Sequence, residues 1–266
     1  MFDSGVGGLS VLRAFQNLHP EWPIIYLADQ AHVPYGARSM YEVKNFSEII
    51  THFLISQGCH IIVIACNTAS AAALHHLRQM FPATQFVGME PAVKPAVEFS
   101  RSKVIGVLAT PATFQGRLFA SVVERFANGV TILKDTCPGL VQQIEEGELD
   151  TPHTRQILAA AIHPMLEKNV DTIVLGCTHY PFVIPLIQDI AGQQVRIIDP
   201  SPAVAHQIQR LLPPTDSRDY RLKYIKTRLI STGNPEHLAK LLPLLLEMEF
   251  NVEPLIWHGA VLQNEE

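Results

Sequence analysis

Ile62-Val63-Ile64-Ala65-Cys66-Asn67-Thr68 and Ile173-Val174-Leu175-Gly176-Cys177-Thr178-His179 are two variants of one pattern. Each is an unbroken apolar, largely β-branched run that ends in cysteine, followed by polar residues and then a helical pattern. A strand that is apolar on both faces suits the centre of a parallel sheet covered by helices on both sides. The pattern therefore predicts two central parallel strands, each with a cysteine just past its carboxyl end. A second pair of related segments, Phe2-Asp3-Ser4-Gly5 and Leu108-Ala109-Thr110-Pro111, lies at nearly the same offset. Together they predict two similar α/β halves facing one another.

Outward from these runs, strand patterns fall at 24–27, 60–65, 84–88, 104–109, 130–134, 172–176, 195–198 and 228–231. Helical patterns lie between them at 10–17, 39–57, 70–80, 91–99, 113–126, 153–167, 185–190, 202–211 and 235–248. Such alternation predicts a doubly wound α/β fold with mainly parallel sheets. The most polar stretch, 213–226, reads as a surface excursion, and no low-complexity linker separates domains.

At about 100–200 residues per domain, 266 residues allow one large or two modest domains. Net charge is -5 and no basic run stands out, which disfavours nucleic acid and anionic membranes as partners. No apolar run of about 18 residues predicts a spanning helix, and the start shows no charged leader or apolar signal region. A cytoplasmic location is the expectation. In that setting Cys59, Cys66, Cys137 and Cys177 are expected to be free thiols. None forms a C-x-x-C pair, which disfavours zinc ribbons and thioredoxin-like motifs.

Ligands of open α/β sheets bind beyond the carboxyl ends of the strands, where Cys66 and Cys177 fall. Each also opens a loop that leads to a helix, whose N-terminus favours thiolate over thiol. Cysteine is more often a buried structural residue, but two in matched contexts reverse that preference. Cys59 and Cys137 lack the context and read as structural. Two thiols facing one another across a cleft suit racemisation, in which one group removes a proton from a stereocentre and the other returns one to the opposite face. Such chemistry needs firm holding of the substrate and preorganised donors around the developing charge.

Asn67, Thr68 and Thr178 can supply those donors, and helix capping alone also accounts for them. In Asp3-Ser4-Gly5-Val6-Gly7-Gly8 the glycines permit a tight turn that brings backbone N–H groups near an anion. It is not the G-x-G-x-x-G fingerprint of dinucleotide sites. Asp3 can bind a substrate ammonium, exchange a proton with Cys66, or cap a helix. Pro34-Tyr35-Gly36 predicts a turn carrying a phenol. The chain has 12 histidines, so position singles out His179, two residues past Cys177, as a group able to tune that thiol. Glu145-Glu146 lies between helical patterns, where most such pairs are solvated.

The blocks DSGVGGL (3–9), PYG (34–36), ACNTAS (65–70), PAVKPA (91–96) and LGCTHYP (175–181) together resemble the glutamate racemase family of the aspartate/glutamate racemase superfamily. Ile198-Asp199 and Ser231-Thr232-Gly233 fit weaker family patterns. The resemblance implies Cys66 and Cys177 as the catalytic acid/base pair, with Asp3 beside Cys66, and with His179 and Glu145 assisting Cys177. It implies substrate contacts from Asp3, Ser4, Tyr35, Gly36, Asn67, Thr68, Thr178 and His179. It further implies conversion of L-glutamate to D-glutamate for peptidoglycan synthesis, with no pyridoxal phosphate, metal or nucleotide, by a homodimer. Residues 1–94 with 207–266 would form one α/β domain and 95–206 an inserted second one, with the active site in the cleft between them. The chain departs from the family pattern in its short first strand, in Glu90, and in Asp199-Pro200-Ser201-Pro202. The competing expectations are an aspartate or broad-specificity racemase, a regulatory protein retaining the cleft, and a thiol-redox protein bridging Cys66 to Cys177.

Overall fold

The computed structural model describes residues 1–213 and 227–264. All but the first residue of the polar stretch 213–226 therefore lies outside the described residues. The first sheet contains β1 (Phe2–Asp3), β2 (Ile25–Ala28), β3 (Ile61–Ile64), β4 (Gln85–Gly88), β9 (Arg228–Ser231), β10 (Val252–His258) and β11 (Val261–Asn264), in the order β11-β10-β9-β2-β1-β3-β4. The second contains β5 (Val104–Ala109), β6 (Thr131–Asp135), β7 (Thr172–Gly176) and β8 (Arg196–Ile198), in the order β6-β5-β7-β8. Every neighbouring pair is parallel except the β10–β11 hairpin.

The two echoes in the sequence are the central strand pairs. β1 lies beside β3 in one sheet, and β5 lies beside β7 in the other. Their interior residues are almost all buried, as strands covered on both faces must be. The halves share this motif but differ in size. The second sheet is built from 104–198, and the first from the segments before and after it. A division at 206/207 falls inside α10 (Ser201–Leu211).

The helices are α1 (Leu9–Leu18), α2 (Met40–Ser56), α3 (Asn67–Met80), α4 (Val93–Phe99), α5 (Pro111–Gln115), α6 (Arg117–Phe126), α7 (Leu140–Glu145), α8 (Pro152–Leu166), α9 (Ile184–Ala191), α10 and α11 (Pro235–Leu246). Local chemistry sets several starts. Ser39 and Glu42 form a reciprocal capping box at α2, and Thr110, Thr151 and Asn234 cap α5, α8 and α11. Asp199 accepts the Ser201 N–H at 2.8 Å, so the proline-rich departure still supports a helix start. Glu90 is exposed. The single helix expected over 113–126 is two, because Gly116 takes an extended backbone between α5 and α6. α7 and the β10–β11 hairpin were not expected. One is too short to show helical periodicity, and the other is a half-buried edge without an apolar run.

The halves share a continuous apolar core. Leu9, Leu12 and Phe15 of α1 belong to one buried cluster with Ile144, Tyr180, Val183 and Ile187 from the other side. Among the described residues no helix is long and apolar enough to cross a membrane.

Candidate active site

Cys66 stands between β3 and α3 with extended backbone, φ -140° and ψ 123°. Its Sγ accepts the Ala69 N–H at 3.5 Å, so the cysteine itself caps α3. Ser70 fixes this helix start by donating to Ile64 O at 3.1 Å and accepting from Met89 N–H at 2.8 Å. Asp3, at the end of the neighbouring β1, is fully buried. Its Oδ2 accepts the Gly8 N–H at 2.7 Å, while Oδ1 has no partner. Burial raises the Asp3 pKa, against the opposing pull of His179 and Cys66. Burial and then the Asp3 charge push the Cys66 thiol well above its ordinary value. This corrects the expectation that the helix N-terminus would favour a Cys66 thiolate. The Ala69 N–H lowers the pKa, but desolvation outweighs one hydrogen bond.

Cys177 stands past the end of β7 and is also buried. No α-helix follows it directly. A 3₁₀ turn, Tyr180–Val183, precedes α9, so the expected helix is present at Ile184–Ala191 but its start is not the chain neighbour of Cys177. His179 takes its place. Nδ1 lies 3.7 Å from Cys177 Sγ, and Nε2 lies 2.6 Å from Glu145 Oε1. Burial would lower the His179 pKa, but the bonds to Cys177 and Glu145 outweigh it and hold it well above 6.5. Glu145 is buried, unlike the exposed Glu146 beside it. Desolvation opposes its ionisation, yet the His179 bond holds its pKa below the usual carboxylate value. Glu145 also accepts from Val6 N–H at 2.8 Å and Gln30 Nε2 at 3.1 Å, and its backbone carbonyl lies 2.8 Å from His237 Nε2.

The loop after β1 joins the two centres. Two of its N–H groups do face anions, and these are the protein's own Asp3 and Glu145. A Cβ at Gly5 would overlap Glu145 Oε1, and one at Gly7 would lie 2.5 Å from His179 Nδ1. Glycine is needed here for close approach between the halves. Ser10 of α1 donates to Thr178 O at 3.1 Å, and Tyr26 donates to Gly5 O at 2.6 Å.

Between the halves, Thr68 Oγ1 and Thr110 Oγ1 are 2.9 Å apart. Thr110 thus completes the second sequence echo, which had assigned it no role. Ser4, Tyr35, Asn67, Thr68, Thr178 and His179 are all buried around the loops beyond β1, β2, β3 and β7. The Tyr35 hydroxyl donates to Asp29 Oδ2 at 2.6 Å, and Gly36 abuts Thr110. Asn67 is 3% exposed, yet neither its Oδ1 nor its Nδ2 has a partner. Leaving a buried polar group unpaired costs about 1–3 kcal/mol. With Asp3 Oδ1, this places unused donor and acceptor capacity on both sides of Cys66. The arrangement can bind a small polar molecule and move protons at two sulfurs. The four cysteines are free. Among the described residues, no group of three or more His, Cys, Asp or Glu is placed to hold a metal ion. Asp29, Gln30 and His237 show no sequence signal for this region, because Thr232 and Trp257 on Asp29, and Glu145 on Gln30 and His237, come from segments remote in the chain.

The description Asp/Glu/Hydantoin racemase matches residues 9–208. A curated glutamate racemase from Roseiflexus sp. (strain RS-1) is 47% identical over 243 residues, covering 91% of this chain and 89% of that protein. The Escherichia coli glutamate racemase solved with L-glutamate and the activator UDP-MurNAc-ala is 29% identical, with a TM-score of 0.83 and coverage of 97% of each chain. The Francisella tularensis glutamate racemase solved with D-glutamate is 28% identical, with a TM-score of 0.80, covering 97% of this chain and 96% of that one.

Proposed function

Because this chain belongs to the Asp/Glu/Hydantoin racemase family, we propose that it interconverts L-glutamate and D-glutamate by a two-cysteine, two-base mechanism. The observation that carries this is the placement of two buried cysteines past equivalent strands, with His179 Nδ1 3.7 Å from the Cys177 sulfur and the buried Asp3 carboxylate on the strand beside Cys66. One sulfur, as thiolate, removes the α-proton. The other, as thiol, gives a proton to the opposite face. The bond broken on one side is replaced on the other, and the two sulfurs exchange states in each turnover. His179, held protonated by Glu145, supports a Cys177 thiolate. Asp3 is the proton partner of Cys66, and its raised pKa suits it to accept that proton.

Ser4, Tyr35, Gly36, Asn67, Thr68, Thr178 and His179 hold the substrate, and Asp3 receives its ammonium. The unpaired amide of Asn67 supports this assignment. The half built on the first sheet, α10 included, acts as one domain and the half built on the second sheet as the other, with glutamate between them. Neither pyridoxal phosphate, metal nor nucleotide takes part in the proposed chemistry. The product supplies peptidoglycan synthesis, and the working form is a cytoplasmic homodimer.

The test is turnover of L- and D-glutamate followed by circular dichroism without added cofactor, with aspartate as the control. In deuterated water the product should carry solvent deuterium at Cα. Cys66→Ser and Cys177→Ser should each abolish racemisation and leave the fold intact. Full turnover by either variant would refute the mechanism.

A further inference from the structure

Asp29 follows β2 and is a fully buried carboxylate outside the proton relays. Both of its oxygens are doubly occupied. Oδ2 accepts from Tyr35 Oη at 2.6 Å and faces His32 Nδ1 at 2.9 Å. Oδ1 accepts from Thr232 Oγ1 and Trp257 Nε1, each at 2.7 Å. A carboxylate offers about four acceptor sites, so this one is filled. Its partners come from the loop after β2, the end of β9, and β10. The His32 ring is stacked on Phe46 at 3.9 Å and lies edge-on to Trp257 at 4.9 Å, which fixes the same loop from outside.

This loop reaches both sulfur centres. At Gly36 a Cβ would meet Thr110 at 2.8 Å, and Thr110 bonds Thr68, the second residue of the helix that Cys66 caps. At Gln30 the loop bonds Glu145, the partner of His179, while Gln30 Oε1 accepts from Ser231 Oγ at 2.8 Å. We infer that Asp29 is a positioning residue. It clamps the loop of Gln30 to Gly36 at the height at which Tyr35 meets the substrate, and Trp257 of the carboxyl-terminal hairpin serves as its outer anchor. This rests on the function proposed above, in which Tyr35 and Gly36 touch glutamate.

Asp29→Asn keeps the side-chain shape but replaces one acceptor oxygen with a donor, so the two bonds on that side must reverse direction or be lost. Trp257→Phe removes one donor and keeps an aromatic ring. The readout is KM against kcat for glutamate, with each melting temperature recorded. One or two hydrogen bonds correspond to a KM rise of about tenfold for Asp29→Asn and about threefold for Trp257→Phe. kcat should change by less than about threefold, since the clamp acts through binding geometry. In a Tyr35→Phe background, Asp29→Asn should add less than about twofold, because the path it acts through is already cut. An unchanged KM with a lowered melting temperature in Trp257→Phe, or full additivity with Tyr35→Phe, overturns the inference and leaves Asp29 a structural residue. Absence of glutamate turnover in the unsubstituted enzyme would instead overturn the function on which it rests.

Discussion

The two cysteines have unlike electrostatic surroundings. Cys177 is backed by a histidine–carboxylate pair, while Cys66 is backed by a desolvated carboxylate with one free oxygen. Glu145→Gln should lower kcat/KM by about a hundredfold through loss of the His179 charge. L- and D-glutamate have the same free energy, so the loss must be equal in both directions, which circular dichroism measures directly. The pair also sets a stability window. The His179 pKa is raised, so its contribution is complete below about 6.5 and fades as pH climbs through the folded value. The Glu145 pKa is lowered, so its share is present above 4.5 and fades as pH falls through the folded value. The melting-temperature difference between the enzyme and Glu145→Gln should therefore be largest between about pH 4.5 and 6.5 and shrink on either side. Asp3 has the opposite sign among carboxylates. Its pKa is raised, so its ionised form costs stability once pH rises through the folded value. Asp3→Asn should thus raise the melting temperature at pH 8 while reducing activity, as expected where function needs a destabilised group.

The loop between β1 and α1 holds Asp3 through the Gly8 N–H and presents the Val6 N–H to Glu145. It serves both centres only because its backbone lies against side chains of the opposite half. Gly5→Ala would place a methyl group inside the Glu145 carboxylate, displacing the partner of His179. The expected cost is about 1–3 kcal/mol of stability, read by denaturant unfolding, with a loss of kcat larger than that stability change explains. A change in stability with unaltered kcat would mean that Glu145 has room to move. The β2 loop has a comparable place, with Asp29 clamping one part of it and Gln30 tying another to Glu145. Such elements are short and irregular, so periodicity reveals little of them. α7 carries Glu145 and went unrecognised for that reason, and the hairpin that carries Trp257 is an edge with few buried side chains.

Across the molecule, the proposed site draws on both sheets, so a ligand bound there should stabilise the chain. Glutamate at about 100 times its Kd should add about 2.7 kcal/mol to unfolding. That predicts a rise of about 5–10 °C in melting temperature for a chain of this size, with either enantiomer. Aspartate giving the same rise at the same concentration would point to broader specificity. Both central strand pairs, the alternation of strands and helices, and the two cysteines were legible in the sequence. Apolar β-branched runs have few places to go other than a covered parallel sheet, and strand ends follow from where the run stops. The raised pKa of the Cys66 thiol, the burial of Glu145 beside an exposed Glu146, and the clamp on Asp29 came from packing between distant segments. Desolvation, hydrogen-bond partners and close backbone contact depend on what lies opposite each group in space. Neighbours along the chain carry no record of that.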